Sequence, residues 1–386
     1  MRVPFEFATA SRIVFGAGSV REVAPAARQW GSRVLVVTGR NPERVGGLIR
    51  QLQSAGLSSA VLPVRGEPKV EAIRDGVRVA HEYGSGIVIA IGGGSAIDAG
   101  KAIAALMTNG SEPLDYLEII GRGTPFANPS APFIAIPTTA GTGSEVTRNA
   151  VLASPEHSVK ASLRSPHMLP RLAIVDAELT LNLPAALTAS TGLDALTQLL
   201  EAWVSIRANP IADGFCREGL PLVARSLRAA YRNGGDIEAR TDMSLAALLS
   251  GLALANAGLG AVHGFAAPVG GMFDAPHGAV CAALLPHATA VNITALSSRE
   301  PEGEPLRRYG EAARTLTGNV HATADDLIPW LTDLCRDLEI PSLRAYGIGE
   351  THGAGLVEKA ARSSSMKGNP IALTAAELHE IIARAL

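Results

Sequence analysis

Residues 86–104 read GIVIAIGGGSAIDAGKAIA. Ile87-Val88-Ile89-Ala90-Ile91 is a continuous apolar run bounded by glycines, the pattern of a strand buried on both faces of a parallel sheet. Gly92, Gly93 and Gly94 follow as a turn, and residues 95–101 open a helix. A strand that feeds a glycine turn into a helix N-terminus leaves unpaired N–H groups at a positive dipole end. That arrangement accepts a phosphate. Asp98 and Lys101 sit one turn apart beside it. The spacing is neither of the common fingerprints. The third glycine of G-x-G-x-x-G, counted from Gly92, falls on Ile97. A P-loop needs glycine where Ser95 stands, and Ser or Thr where Ala102 follows Lys101. Taken alone, the stretch also allows a glycine turn that serves only close strand–helix packing. Its neighbours decide.

Working outward, 33–37 and 59–64 read as strands, 42–55 as a helix stopped by Gly56, and 70–83 as a helix ending before Gly84. Another strand spans 132–136. Strands separated by helix-length stretches imply βαβ units and a parallel sheet with right-handed crossovers, whose ligands bind at the carboxyl ends of the strands. After Pro184 the chain turns Ala- and Leu-rich with helical spacing, the clearest helices being 193–204, 212–232, 241–259, 322–337 and 374–385. The fold class expected is α/β followed by all-α: an N-terminal parallel-sheet domain over 1–184 and an all-helical domain over 185–386.

The 386 residues are 47% hydrophobic, enough for a large core in two or three domains. A net charge of −2 without charged blocks argues against nucleic acid or an anionic membrane surface. Cys216, Cys281 and Cys335 are far apart and lack Cys-x-x-Cys partners, so they read as reduced, buried thiols with no metal or catalytic role. Residues 1–10 lack the apolar core of a signal peptide, and no stretch approaches transmembrane length. A cytoplasmic location is the expectation.

A second loop, Pro137-Thr138-Thr139-Ala140-Gly141-Thr142-Gly143-Ser144-Glu145-Val146-Thr147, follows the strand ending at Ile136 and is crowded with hydroxyls, as a ligand wall would be. GGGSAIDAGK and PTTAGTGSEVT together closely resemble the iron-containing (group III) alcohol dehydrogenases. Further matches are Ile13-Val14-Phe15-Gly16-Ala17-Gly18, Leu169-Pro170, Ile174-Val175-Asp176, Gly192-Leu193-Asp194-Ala195-Leu196, Pro276-His277-Gly278, Leu285-Pro286-His287 and Asn369-Pro370. The resemblance implies a dehydroquinate synthase-like fold, with a nucleotide-binding α/β domain before a helical metal-binding domain. It implies hydride transfer between NAD(P)(H) and an alcohol, aldehyde or ketone, in at least a homodimer joined through the N-terminal strand.

Residue by residue, the resemblance puts Gly93, Gly94, Ser95 and Asp98 on the cofactor pyrophosphate. It puts Thr138, Thr139 and Thr142 on the cofactor's other side, and Asn149 and Lys160 towards the ribose and nicotinamide. NAD-preferring relatives often carry Asp at the position of Gly39. Gly39 removes that charge and Arg40 can pair with a 2′-phosphate, which favours NADP(H) or dual use.

In the family an Asp, a His one helical turn later and two further histidines hold a divalent cation, iron or zinc, that stabilises the alkoxide. The matching positions are Asp194, Gln198, His263 and His277. Gln198 departs from that set: an amide oxygen donates more weakly than imidazole, so the site is weakened. Asp194, His263 and His277 still make a one-carboxylate, two-histidine site. Ala267 is a second departure, since many relatives carry there a histidine suspected of relaying the proton. Should metal be dispensable, His277 as proton donor and charged His263 are the catalytic candidates. Two other readings compete: a maleylacetate-reductase-like, metal-independent oxoacid reductase, and a nucleotide-binding protein without catalysis. Of Trp203, Phe265 and Phe273, the sequence does not say which lines a substrate pocket.

Overall fold

The computed structural model describes residues 4–110, 112–157, 159–273 and 275–386. They form two compact units, one of 8–139 with 143–180, the other of 140–142 and 181–386 with residues 4–7.

The first unit is built on a six-stranded sheet whose paired strands all run parallel, in the order β1-β8-β5-β4-β2-β3. Its strands are β1 (Ile13–Phe15), β2 (Arg33–Thr38), β3 (Ser58–Pro63), β4 (Ile87–Gly92), β5 (Phe133–Pro137) and β8 (Leu172–Val175). A separate antiparallel hairpin pairs β6 (Asn149–Ser154) with β7 (Val159–Arg164). Helices α1 (Val23–Ala27), α2 (Gly46–Ser54), α3 (Val70–Tyr83) and α4 (Gly94–Asn109) fill the crossovers. Successive side chains of a strand point to opposite faces, and here both faces are covered. Leu35, Val37, Val88 and Ala90 pack with Ile73, Ile97 and Ile103, whereas Val34, Val36, Ile87 and Ile89 pack with Val23, Leu48 and Leu52. The uninterrupted apolar runs in β2 and β4 follow from that double burial.

Strand β2 is followed by β3 on its outer side, but β4 returns to its inner side. The strand order therefore reverses between β2 and β4, and a crevice at their carboxyl ends is the place where such sheets bind ligands. Gly92 closes β4 there, and a Cβ on it would stand 2.7 Å from Ala96 Cβ and 3.3 Å from the Gly39 amide nitrogen. Gly100, where a Cβ would meet Ala90 Cβ at 2.7 Å, lets α4 lie close on β4.

The second unit is helical: α5 (Ala185–Val204), α6 (Pro210–Arg232), α7 (Ile237–Ala257), α8 (Ala261–Met272), α9 (His277–Arg299), α10 (Glu304–Thr317), α11 (Leu327–Asp337), α12 (Gly353–Ala361) and α13 (Ala375–Ala385). Helix α9 is absent from the helices read in the sequence: the Pro276-His277-Gly278 stretch, whose composition suits a turn, begins a 23-residue helix at His277, and Pro286 lies inside it. By length and composition α9 could also cross a membrane, contrary to the reading of the sequence. Of its apolar 18-residue stretch, however, 89% is buried within the fold, as in a core helix.

Candidate functional site

The nucleotide-binding features collect at the carboxyl edge of the sheet. Register pairs Thr38 with Ile91 and Gly92 with Pro137, so the segments after β2, β4 and β5 leave the sheet side by side. The Thr138 amide donates to the Gly92 carbonyl at 2.9 Å. Gly93 precedes α4 without a side-chain cap, so the first-turn N–H groups of Gly94 and Ser95 face this edge. A Cβ on Gly93 would meet nothing closer than Thr139 Oγ1 at 3.5 Å, which leaves the turn open to close approach. Gly39 has no atom within 4 Å of where its Cβ would be, and Arg40 is exposed beside it.

Two residues expected beside the phosphate, Asp98 and Lys101, are placed differently. Asp98 is buried and turned towards the hairpin, where its Oδ2 accepts the Val151 amide at 3.0 Å. Lys101 does not flank a phosphate. It is 1% exposed and its ammonium donates to Ser144 O at 2.8 Å, Thr147 Oγ1 at 2.9 Å and Asn149 O at 2.7 Å. Three acceptors use all three of its protons, so Lys101 pins the hydroxyl-rich loop to α4. Asn149 is held through its carbonyl by that lysine at the start of β6. Lys160 on β7 pairs with Glu67 at 3.3 Å, with 11% of its side chain exposed, instead of lying free on the surface. Ser158, two residues before it, lies outside the described residues. Thr142 is half-buried and belongs with Ala140 and Gly141 to the helical unit.

Buried charge shapes the same region. Burial raises Asp98 despite the opposing pull of Lys101, and it lowers Lys101 despite Asp98 and Glu145. Glu145, 2% exposed, is pushed up to about 7 by burial, against a backbone hydrogen bond and Lys101.

In the helical unit α5, α8 and α9 bring four donor groups together: Asp194, His263, His277 and Cys281, their ligand atoms all within 4.8 Å of one another. His263 Nε2 stands 3.3 Å and His277 Nε2 3.6 Å from Asp194 Oδ1. Cys281 Sγ lies 3.8 Å from His263 Nε2 and 3.7 Å from His277 Nε2. Asp194 Oδ1 is buried and, despite the nearby imidazoles, accepts no hydrogen bond of good geometry. An orphaned carboxylate oxygen, two imidazole nitrogens and a sulfur converging on one point fit a divalent cation.

The electrostatics agree. Burial works to raise Asp194, but His277 and His263 hold it below the usual carboxylate value. Burial opposes a charged His263, yet Cys281, Asp194 and Glu201 raise it well above the ordinary histidine value. Cys281 and then Asp194, against burial, push His277 up to about 9. The cluster favours positive charge at its centre.

Surrounding groups fix the donors. Glu201 Oε2 is 2.7 Å from His263 Nδ1, and its Oε1 accepts the Val262 amide at 2.7 Å, leaving Nε2 of the ring for the centre. The Asn369 of the Asn369-Pro370 motif accepts the Ala261 amide at 3.0 Å and bonds Asn292 of α9, tying α8 to α9. Gly278 permits α9 to approach α5, since a Cβ there would lie 2.5 Å from Ser190 O and 3.5 Å from Asp194 Cβ. Gln198 is where the ligand expectation fails. Its Nε2 donates to Asp194 Oδ2 at 3.4 Å and its Oε1 accepts from Ser250 Oγ at 2.8 Å, so it braces the carboxylate from outside the cluster. Ala267 is exposed one turn beyond His263 and offers no polar group. Trp203 is committed to packing, with Arg308 over its ring at 4.7 Å, and Phe265 is fully buried. Phe273 is half-buried and meets His352 edge-on.

Comparison with known proteins gives one answer along the chain. The model of the iron-containing alcohol dehydrogenase family matches residues 10–177, and that of the family's C-terminal domain matches 188–386. Alcohol dehydrogenase 4 of Saccharomyces cerevisiae is 36% identical over 377 residues, 96% of each chain. The NAD-dependent methanol dehydrogenase of Bacillus methanolicus is 33% identical over 384 residues, 97% of each chain. Among solved structures, a 1,3-propanediol oxidoreductase superposes over the whole of both chains with a TM-score of 0.92 at 34% identity.

Proposed function

Since this chain belongs to the iron-containing alcohol dehydrogenase family, an oxidoreductase family using a nicotinamide cofactor and a divalent metal, we propose the following division of labour. Asp194, His263 and His277 hold the cation. The backbone N–H groups of Gly94 and Ser95, next to the open turn at Gly93, hold the pyrophosphate. Thr138, Thr139 and Thr142 line the cofactor, and Lys101 and Asp98 keep the loop and the hairpin in place so that Asn149 and Lys160 reach its ribose and nicotinamide side.

The observation that carries this reading is the buried Asp194 Oδ1, which accepts no hydrogen bond and faces two imidazole nitrogens. When bound, the cation supplies Lewis-acid stabilisation to the substrate oxygen as the neighbouring carbon gives up a hydride. The residues do the rest. Glu201 locks the His263 ring, and Gln198 braces the outer oxygen of Asp194. Ala267 cannot relay a proton, and His277, with 35% of its side chain exposed, is the member of the cluster open to water. We therefore assign proton exit to the side of His277.

NAD(H) is the cofactor expected from the family, and the finer reading is use of both NADH and NADPH. It rests on the space at Gly39 and the exposed guanidinium of Arg40, which leave a 2′-phosphate unopposed. We extend the proposal to an assembly of at least two copies in the cytoplasm, acting on a small alcohol or aldehyde. The test is oxidation of NADH and NADPH against a panel of aldehydes, ketones and oxoacids. Turnover of aldehydes or ketones supports the reading. Turnover of oxoacids alone, unaffected by chelator, replaces it with a metal-independent oxoacid reductase.

A further inference from the structure

We propose that Cys281 is a thiolate ligand of the cation, the donor that takes over from position 198, where this chain has an amide in place of imidazole. The inference rests on the reading of Asp194, His263 and His277 as ligands and adds the fourth member.

Three observations carry it. The first is distance. Tetrahedral bonding with Zn–N and Zn–O of about 2.0–2.1 Å and Zn–S of about 2.3 Å places N···O edges near about 3.4 Å and S···N edges near about 3.6 Å. The cluster has N···O edges of 3.3 and 3.6 Å and S···N edges of 3.8 and 3.7 Å. The second is the state of Gln198, which turns its donor end to Asp194 and has its acceptor taken by Ser250. The third is helix geometry. His277 and Cys281 are i and i+4 on α9, so the backbone itself delivers both to one face. The set therefore has four donors, one of them a soft sulfur where position 198 contributes none. That sulfur favours zinc over iron, because thiolates prefer the softer ion. Binding releases the thiol proton to solvent, since the thiolate is the ligand.

The other two thiols do not compete for the role. Both are outside the cluster, and burial raises Cys216 and pushes Cys335 up to about 12. A metal–sulfur signal from this protein is thus assignable.

The test is zinc-edge X-ray absorption on the full chain loaded with stoichiometric zinc, read alongside zinc affinity by chelator competition. One sulfur scatterer at about 2.3 Å is expected in the wild type and its loss in Cys281→Ser. Affinity should fall in Cys281→Ser by more than the roughly 10–100-fold that loss of an outer partner costs, and in Gln198→Ala by no more than that. A shell of nitrogen and oxygen only in the wild type overturns the proposal without needing any variant. So does a Cys281→Ser protein that binds zinc as tightly as the wild type. If His263→Ala and His277→Ala also keep zinc, the three-ligand reading fails as well. If they lose it while Cys281→Ser does not, only the thiolate assignment fails.

Discussion

Cys281 Sγ lies 3.7 Å from His277 Nε2, one turn further along the same helix. Two donors on one helix have their spacing set by the backbone, so closure of the site depends on how near α9 comes to Asp194 on α5. Gly278 sets that approach, its absent Cβ leaving room for Ser190 O.

Gly278→Ala should therefore push α9 off α5. Overpacking of this kind costs about 1–3 kcal/mol, and here the displacement acts directly on the donor geometry. A lowered Tm together with reduced metal content is expected. An unchanged Tm with wild-type metal content would mean that Gly278 does not set the helix separation.

How much of this is legible in the sequence varies with the physics. Strands β2 and β4 are buried on both faces, so their apolar runs announced them, and α3 carried its own stop in Gly84. The start of α9 was not legible, because Pro276-His277-Gly278 has the composition of a turn and Pro286 that of a helix break. Its glycine answers to a neighbouring helix, a tertiary demand with no local signature. The β6–β7 hairpin is not legible because the strict burial alternation of β6 has no matching alternation in its sequence, where Val151 and Ala153 occupy the less buried face and Ser154 the buried one. Lys101 looked like a phosphate contact because chain spacing cannot show that Ser144, Thr147 and Asn149 converge on it. By sequence Cys281 reads as a lone thiol, although its i, i+4 relation to His277 is visible there. The sequence offers Gln198 as a ligand and cannot show that its oxygen is taken by Ser250, 52 residues away.

Glu145 makes the stability of the α/β unit pH-dependent. Its value in the fold, about 7, is above the ordinary 4.5, so the fold prefers the neutral acid. The stability this provides is complete below the unfolded value and is lost as pH rises through about 7. Glu145→Gln removes the dependence. The difference in unfolding free energy between wild type and variant should shift by on the order of 3 kcal/mol between pH 4.5 and 8, moving in the variant's favour as pH rises. Parallel stability curves from urea unfolding across that range would remove Glu145 from the explanation.

Gly39→Asp addresses cofactor choice. No atom lies within 4 Å of the new Cβ, so the substitution brings no clash, and its carboxylate would stand beside Arg40. NADPH should weaken at least about tenfold while NADH changes little, because opposed like charges cost on the order of several kcal/mol. Binding titrations with both cofactors read this directly. Equal weakening of the two would show that residues 39 and 40 do not face the 2′ position.

The central claim is that Asp194, His263 and His277 hold a catalytic cation, and its most direct test is a chelate-and-restore titration. Aldehyde reduction with NADH is followed while bound metal is stripped from the purified protein and then zinc or iron is added back. Activity should fall in proportion to the metal removed and return as the ion is restored, with NADH binding intact throughout. Full turnover by protein stripped of metal would contradict the claim and leave the cluster without a part in catalysis.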